Sequence, residues 1–105
     1  MANKVIHNSG TRKRAVARAT LKPGKGKIVV NGQLLENYSD EMSRLRIKEP
    51  LVLAGSISGK VNLSIKVNGG GNNGQADAIR LAIARVFVDY DNKLKKVFDD
   101  YDRLL

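Results

Sequence analysis

The sharpest local signal in the chain is the run Gly69-Gly70-Gly71-Asn72-Asn73-Gly74, followed by Gln75. Glycine permits positive φ and lets backbone amides approach an anion with no Cβ between them. Set between a strand and a helix, such a run aims several N–H groups and the positive end of the helix at a phosphate. One reading is a nucleotide-using enzyme. The Walker pattern, however, needs Lys and Ser/Thr after the loop, and Gln75-Ala76 stand there instead. The better-supported reading is a tight strand-to-helix turn that touches a nucleic-acid backbone.

The second set of chemistry-bearing residues is basic. Arg12, Lys13, Arg14 and Arg18 crowd one short segment, and guanidinium groups grip phosphate bidentately. Lys22, Lys25 and Lys27 follow as point charges in a Pro/Gly-rich loop. The 105 residues carry nineteen Lys+Arg and ten Asp+Glu, a net charge of +9. Residues 1–35 hold eight bases, Lys4 included, and no acid; residues 36–105 hold eleven bases and ten acids. Charge so crowded repels itself in a folded monomer, and a polyanionic partner is its natural explanation.

Catalytic and metal-binding constellations are missing from the sequence. There is no cysteine, which removes disulfides, thiolate ligands and thiol nucleophiles together. The single histidine, His7, has no acid near it in sequence and reads as an ordinary polar residue or a minor RNA contact. Asp99, Asp100 and Asp102 lie beside Lys93, Lys95 and Lys96, as a solvated helix face would. The five aromatic residues are not interleaved with the bases, so binding is expected to rest on phosphates and shape. No apolar run approaches the ~20 residues that cross a bilayer, and residues 1–10 lack a signal-peptide core; the expectation is a soluble, intracellular protein.

These residues need elements to hold them. A chain of this length supports one domain that buries about two-thirds of its surface. Residues 1–10 have no period and are expected to be a mobile arm, with a short strand at Val5-Ile6. From residue 12 to 22 the chain alternates: Ala15, Ala17, Ala19 and Leu21 on one face, Arg12, Arg14, Arg18 and Lys22 on the other. Ile28-Val29-Val30 and Gln33-Leu34-Leu35 flank the turn signal Asn31-Gly32, so residues 12–35 read as a three-stranded antiparallel meander. A helix capped at Asn37 or Ser39 follows, and Pro50 is expected to end it and open a short second helix closed by Gly55. Val61, Leu63, Ile65 and Val67 alternate with polar residues in the cleanest strand. A helix from Gln75 carries apolar stripes through Ile79, Ile83, Val86 and Phe87, and a last one carries Leu94, Val97, Phe98 and Tyr101. The sum is a two-layer α/β (α+β) sandwich with four strands and helices on one face.

Gly10-Thr11-Arg12-Lys13-Arg14-Ala15-Val16-Ala17-Arg18-Ala19, then Pro23-Gly24-Lys25-Gly26-Lys27 with Val30-Asn31-Gly32, and finally the run from Val67 to Arg85, stand in an order and spacing that resemble the small-subunit ribosomal protein S9 (uS9) family, from about residue 5 to 105. The last resembles the family signature GGGxxGQAxAIR followed by IAR. Glu49-Pro50-Leu51-Val52-Leu53-Ala54-Gly55 looks archaeal rather than bacterial. The resemblance implies a fold like domain 2 of ribosomal protein S5: a mixed four-stranded sheet with a left-handed βαβ crossover. It implies a non-enzymatic protein in the cytoplasmic ribosome, bound to 16S-type rRNA of the small-subunit head (the 3′ major domain), near proteins S7, S10 and S14. The residues it turns toward rRNA are Arg12, Lys13, Arg14, Arg18, Lys22, Lys25, Lys27, Gly69, Gly70, Gly71, Asn72, Asn73, Gly74, Gln75 and Arg80. Family members continue into a basic tail that reaches transfer RNA; here the chain stops at Leu105 without it, so no tRNA contact is expected. The resemblance implies no cofactor and no membrane. A general nucleic-acid chaperone on the same basic face is the alternative, with a nucleotide-using enzyme behind it.

Overall fold

The computed structural model describes residues 5–102, apart from the side chains of residues 72 and 100–102. Lys4, and the side chains of Asn72, Asp100, Tyr101 and Asp102, therefore lie outside the described residues. Five strands, β1 (Ile6–Arg12), β2 (Ala15–Pro23), β3 (Ile28–Val30), β4 (Gln33–Leu34) and β5 (Val61–Asn68), form one mixed sheet ordered β1-β2-β5-β3-β4. Helices α1 (Glu41–Ala54), α2 (Asn72–Tyr90) and α3 (Lys95–Asp102) make the second layer. Two-layer α/β architecture is thus as the sequence implied, with five strands instead of four.

The fifth strand comes from the segment expected to be a mobile arm. Ile6 is buried opposite Leu21, and the ladder runs in register to Arg12 opposite Ala15. Gly10 makes this docking possible: a Cβ there would lie 2.7 Å from Ala78 O and Ala82 N of α2. Ala15, Ala17, Ala19 and Leu21 are at most 1% exposed, so a seam of small residues lets α2 lie close on β1 and β2. Phe87 and Phe98 stack at 6.3 Å between centroids and join α3 to α2.

The expected meander does not form. β5 separates β2 from β3, antiparallel to the first and parallel to the second. Its inward residues Val61, Leu63, Ile65 and Val67 are 1–2% exposed, each burial contributing about 1.5–3 kcal/mol, which favours the central position. The loop after β2 does not fold back tightly; it crosses the start of β5. Gly24 N–H donates to Lys60 O and Gly26 N–H to Val61 O, both at 3.0 Å. Asn31-Gly32 does turn β3 into β4, with φ of 52° and 82°, and the Asn31 side chain is hydrogen-bonded at both ends to the Val67 backbone.

Nor does Pro50 break its helix. α1 runs unbroken through it, because Pro50 is buried and its packing offsets the one backbone hydrogen bond that proline cannot make. Asp40, rather than Asn37 or Ser39, caps α1 by accepting from Ser43 N–H at 2.8 Å. Two hydrogen bonds from Ser43 hold the Asp40 carboxyl below the ordinary carboxylate value. Gly55 terminates the helix at φ 65°, as expected.

Candidate nucleic-acid interface

The helices cover one face of the sheet and leave the other open. Because side chains alternate, register decides which residues share that open face. From β1 to β5 it carries His7-Thr20-Ser64, Ser9-Arg18-Lys66 and Thr11-Val16-Asn68 as cross-strand rows, and Lys22 beside Asn62. None of the five strands contains an acidic residue. Arg18 and Lys66 stand directly opposite each other and both are exposed. Like charges so placed destabilise a sheet by a few tenths of a kcal/mol to about 1 kcal/mol. Lys66 was not singled out in the sequence, although its alternation with Ile65 and Val67 already put it on a wet face.

The early guanidiniums do not all share this face. Lys13, at φ 55°, and Arg14 form a two-residue turn between β1 and β2. That turn reverses the chain and sets Arg12 opposite Ala15, on the helix side rather than across from it. Arg12, Lys13 and Arg14 are all exposed at one end of the sheet. The glycine turn packs against them. Gly69 and Gly70 have φ of 80° and 62°, a Cβ on Gly69 would strike the Arg14 carbonyl, and one on Gly70 would lie 3.1 Å from Ala15. Gly71 is the N-cap of α2 and has no side chain to cap it, so the first amides of the helix, beside the basic hairpin, are not satisfied by their cap residue.

Lys22, Lys25 and Lys27 lie at the other end. Asn62 Oδ1 accepts from the backbone N–H of Lys25 and of Lys27, both at 3.0 Å, and shapes this loop against the start of β5. The eight residues of β5 separate the two ends by about 23 Å. The candidate residues therefore form two basic ends joined by an open face that carries Arg18 and Lys66.

Two expected contact residues have other work. Arg80 is 8% exposed; its guanidinium lies 2.8 Å from Glu49 of α1 and 3.3 Å from Asp77 of α2. With Arg46 at 3.5 Å from Asp77, it ties the two helices together. Burial and two carboxylates hold it in the helix layer, apart from the exposed bases of the sheet and its ends. The Gln75 amide accepts from Tyr38 Oη at 2.8 Å and donates to Gly69 O at 3.0 Å, so it holds the glycine turn in shape. Burial, then the nearby Asp40 charge, raises the Tyr38 hydroxyl above its ordinary value and keeps it a donor. His7 is hydrogen-bonded at 3.0 Å to Thr20, within a strand rather than in a loose arm. Among the described residues, no cluster of His, Cys, Asp or Glu can hold a metal, and no helix is long and apolar enough to cross a membrane.

Fold and surface define the class: a small, basic, two-layer α/β protein with its charge on an open sheet face and at both sheet ends. Residues 10–105 match the family described as ribosomal protein S9/S16. The small ribosomal subunit protein uS9 of Pyrobaculum aerophilum is 44% identical over 101 residues, covering 94% of this chain and 71% of that protein. The proteins of the same description from Aeropyrum pernix and Methanothrix thermoacetophila are each 41% identical, covering 71% and 79% of their own lengths. The chain belongs to the ribosomal protein S9/S16 family, a family of structural, non-enzymatic ribosomal proteins.

Proposed function

We propose that this chain is the uS9-type constituent of the small ribosomal subunit in the cytoplasm, and that it holds rRNA of the subunit head, the 3′ major domain. Arg12, Lys13 and Arg14 with the glycine turn, residues 69–74, grip backbone phosphate at one end of the sheet. Lys22, Lys25 and Lys27 grip it at the other, and Arg18 lies between them. Gln75 positions the turn. Proteins S7, S10 and S14 are its proposed neighbours. The observation that carries this reading is a sheet with no acidic residue in any strand and with exposed cations crowded at both of its ends. Such an arrangement costs stability in the free protein and becomes favourable only against an anion.

The test is assembly in competition. The protein is mixed with small-subunit rRNA and an excess of random-sequence DNA duplex, and bound nucleotides are mapped by backbone cleavage. Protection confined to the 3′ major domain and resistant to the DNA supports the proposal. Equal displacement by the DNA would establish the general nucleic-acid-binding alternative instead.

A further inference from the structure

We infer that the open sheet face itself, centred on Arg18 and Lys66, seats a double-helical stretch of RNA, distinct from the phosphate contacts at the two sheet ends. This rests on the RNA-binding reading above and adds to it the form of the partner.

Shape comes first. Four strands, β1 to β3 in sheet order, span about 14 Å across, and β5 runs about 23 Å along. That is a broad face rather than a slot, and a single strand is normally threaded along a groove. Proteins that bind single strands splay the bases and stack them on aromatic rings. None of the five strands contains Phe, Tyr or Trp. The one ring on the face, His7, is held by Thr20 at 3.0 Å near the outer corner. Around this pair of cations stand mostly hydroxyl and amide groups instead: Ser9 and Thr20 flank Arg18, with Val16 on its other side, and Ser64 and Asn68 flank Lys66. Such groups both donate to and accept from 2′-hydroxyls, which line the wide, shallow minor groove of A-form RNA. Paired cations that reach phosphate, ringed by hydroxyls that meet a shallow groove, match a duplex read by shape.

Electrostatics gives the inference a signature. Lys66→Glu sets a carboxylate opposite Arg18 and turns a like-charged row into an opposite-charged one. If the face exists for RNA, this substitution raises the Tm of the free protein and weakens RNA binding together. A residue kept only for folding would not separate the two in that direction.

The experiment measures binding of the full chain, wild type and Lys66→Glu, to an RNA duplex of about 16 base pairs, to one of its strands alone, and to head rRNA. The wild type is expected to prefer duplex to single strand. Lys66→Glu is expected to weaken duplex binding by about eightfold or more at 0.1 M salt, since each phosphate contact contributes a slope of about 0.9 in log salt. Arg18→Ala should give a similar loss. Preference for the single strand, or duplex affinity unchanged in both variants while wild-type head rRNA binding persists, overturns this inference and leaves the proposed function standing. Failure of the wild type to bind head rRNA at all overturns both.

Discussion

Replacing Arg80 with Met removes the charge that joins α1 to α2 while keeping much of the apolar stem. The guanidinium is almost wholly buried and meets Glu49 at 2.8 Å and Asp77 at 3.3 Å. Loss of one partner from a fully buried pair costs about 3–5 kcal/mol. Here the cost is smaller. The Glu49 side chain is 55% exposed and can turn to water, and Asp77 keeps Arg46 at 3.5 Å. About 2 kcal/mol is the reasonable figure, in the range of hydrogen bonds to charged groups. For a domain of this size that lowers Tm by about 10 °C. Thermal unfolding followed by circular dichroism reads the shift. Binding to head rRNA across a salt series, well below the lowered Tm, supplies the second arm. Arg80→Met should leave the slope of log K against log salt unchanged, because the residue neutralises no phosphate. An unchanged Tm together with a slope shallower by about 0.9 would refute the assignment and return Arg80 to the RNA surface.

Other substitutions probe the remaining contacts. Gly10→Ala drives a methyl into the α2 backbone and should cost about 1–3 kcal/mol, seen as a lower urea midpoint. Gly69→Ala demands positive φ of alanine and a collision with the Arg14 carbonyl, so it should weaken head rRNA binding several-fold while the rest of the fold persists. Gln75→Ala frees Gly69 O and Tyr38 Oη, and should weaken rRNA binding less than Gly69→Ala; amide exchange across residues 69–74 would report the loosening. Asp40 has a lowered carboxyl pKa, so its stabilising contribution is complete above its ordinary value of 3.8 and is lost as pH falls through the lowered one. Asp40→Asn should therefore melt lower than wild type at pH 7, with the gap closing under acid.

Much of this was legible in the residues. Alternation from Ala15 to Leu21 and from Val61 to Val67 marked the buried faces, Asn31-Gly32 marked a hairpin, and the glycine run marked an elbow between strand and helix. The reversal at Lys13-Arg14 was not legible, since neither residue is a customary turn former and the every-other-residue spacing of Arg12 and Arg14 continues into the alternation that starts at Ala15. It moved Arg12 to the helix side. The sheet order was hidden for a different reason: pairing is non-local, and nothing within residues 12–35 states that a strand forty residues later will enter between two of its own. Arg80 likewise sits on a helix whose local pattern is silent about Glu49, and only packing of α1 on α2 brings the two together. Lys66 needed only the sheet order, once known, to join Arg18.

In the function proposed above, exposed cations on one face and both ends of a single sheet hold ribosomal RNA by its backbone. Eight such residues are exposed: Arg12, Lys13, Arg14, Arg18, Lys22, Lys25, Lys27 and Lys66. The most direct measurement is the affinity of the intact chain for head rRNA from low to high salt. With six to eight phosphates neutralised, log K should fall against log salt with a slope of roughly −5 to −7. A slope near zero, or one left unchanged when Arg12, Arg14 and Arg18 are all replaced by Ala, would contradict it.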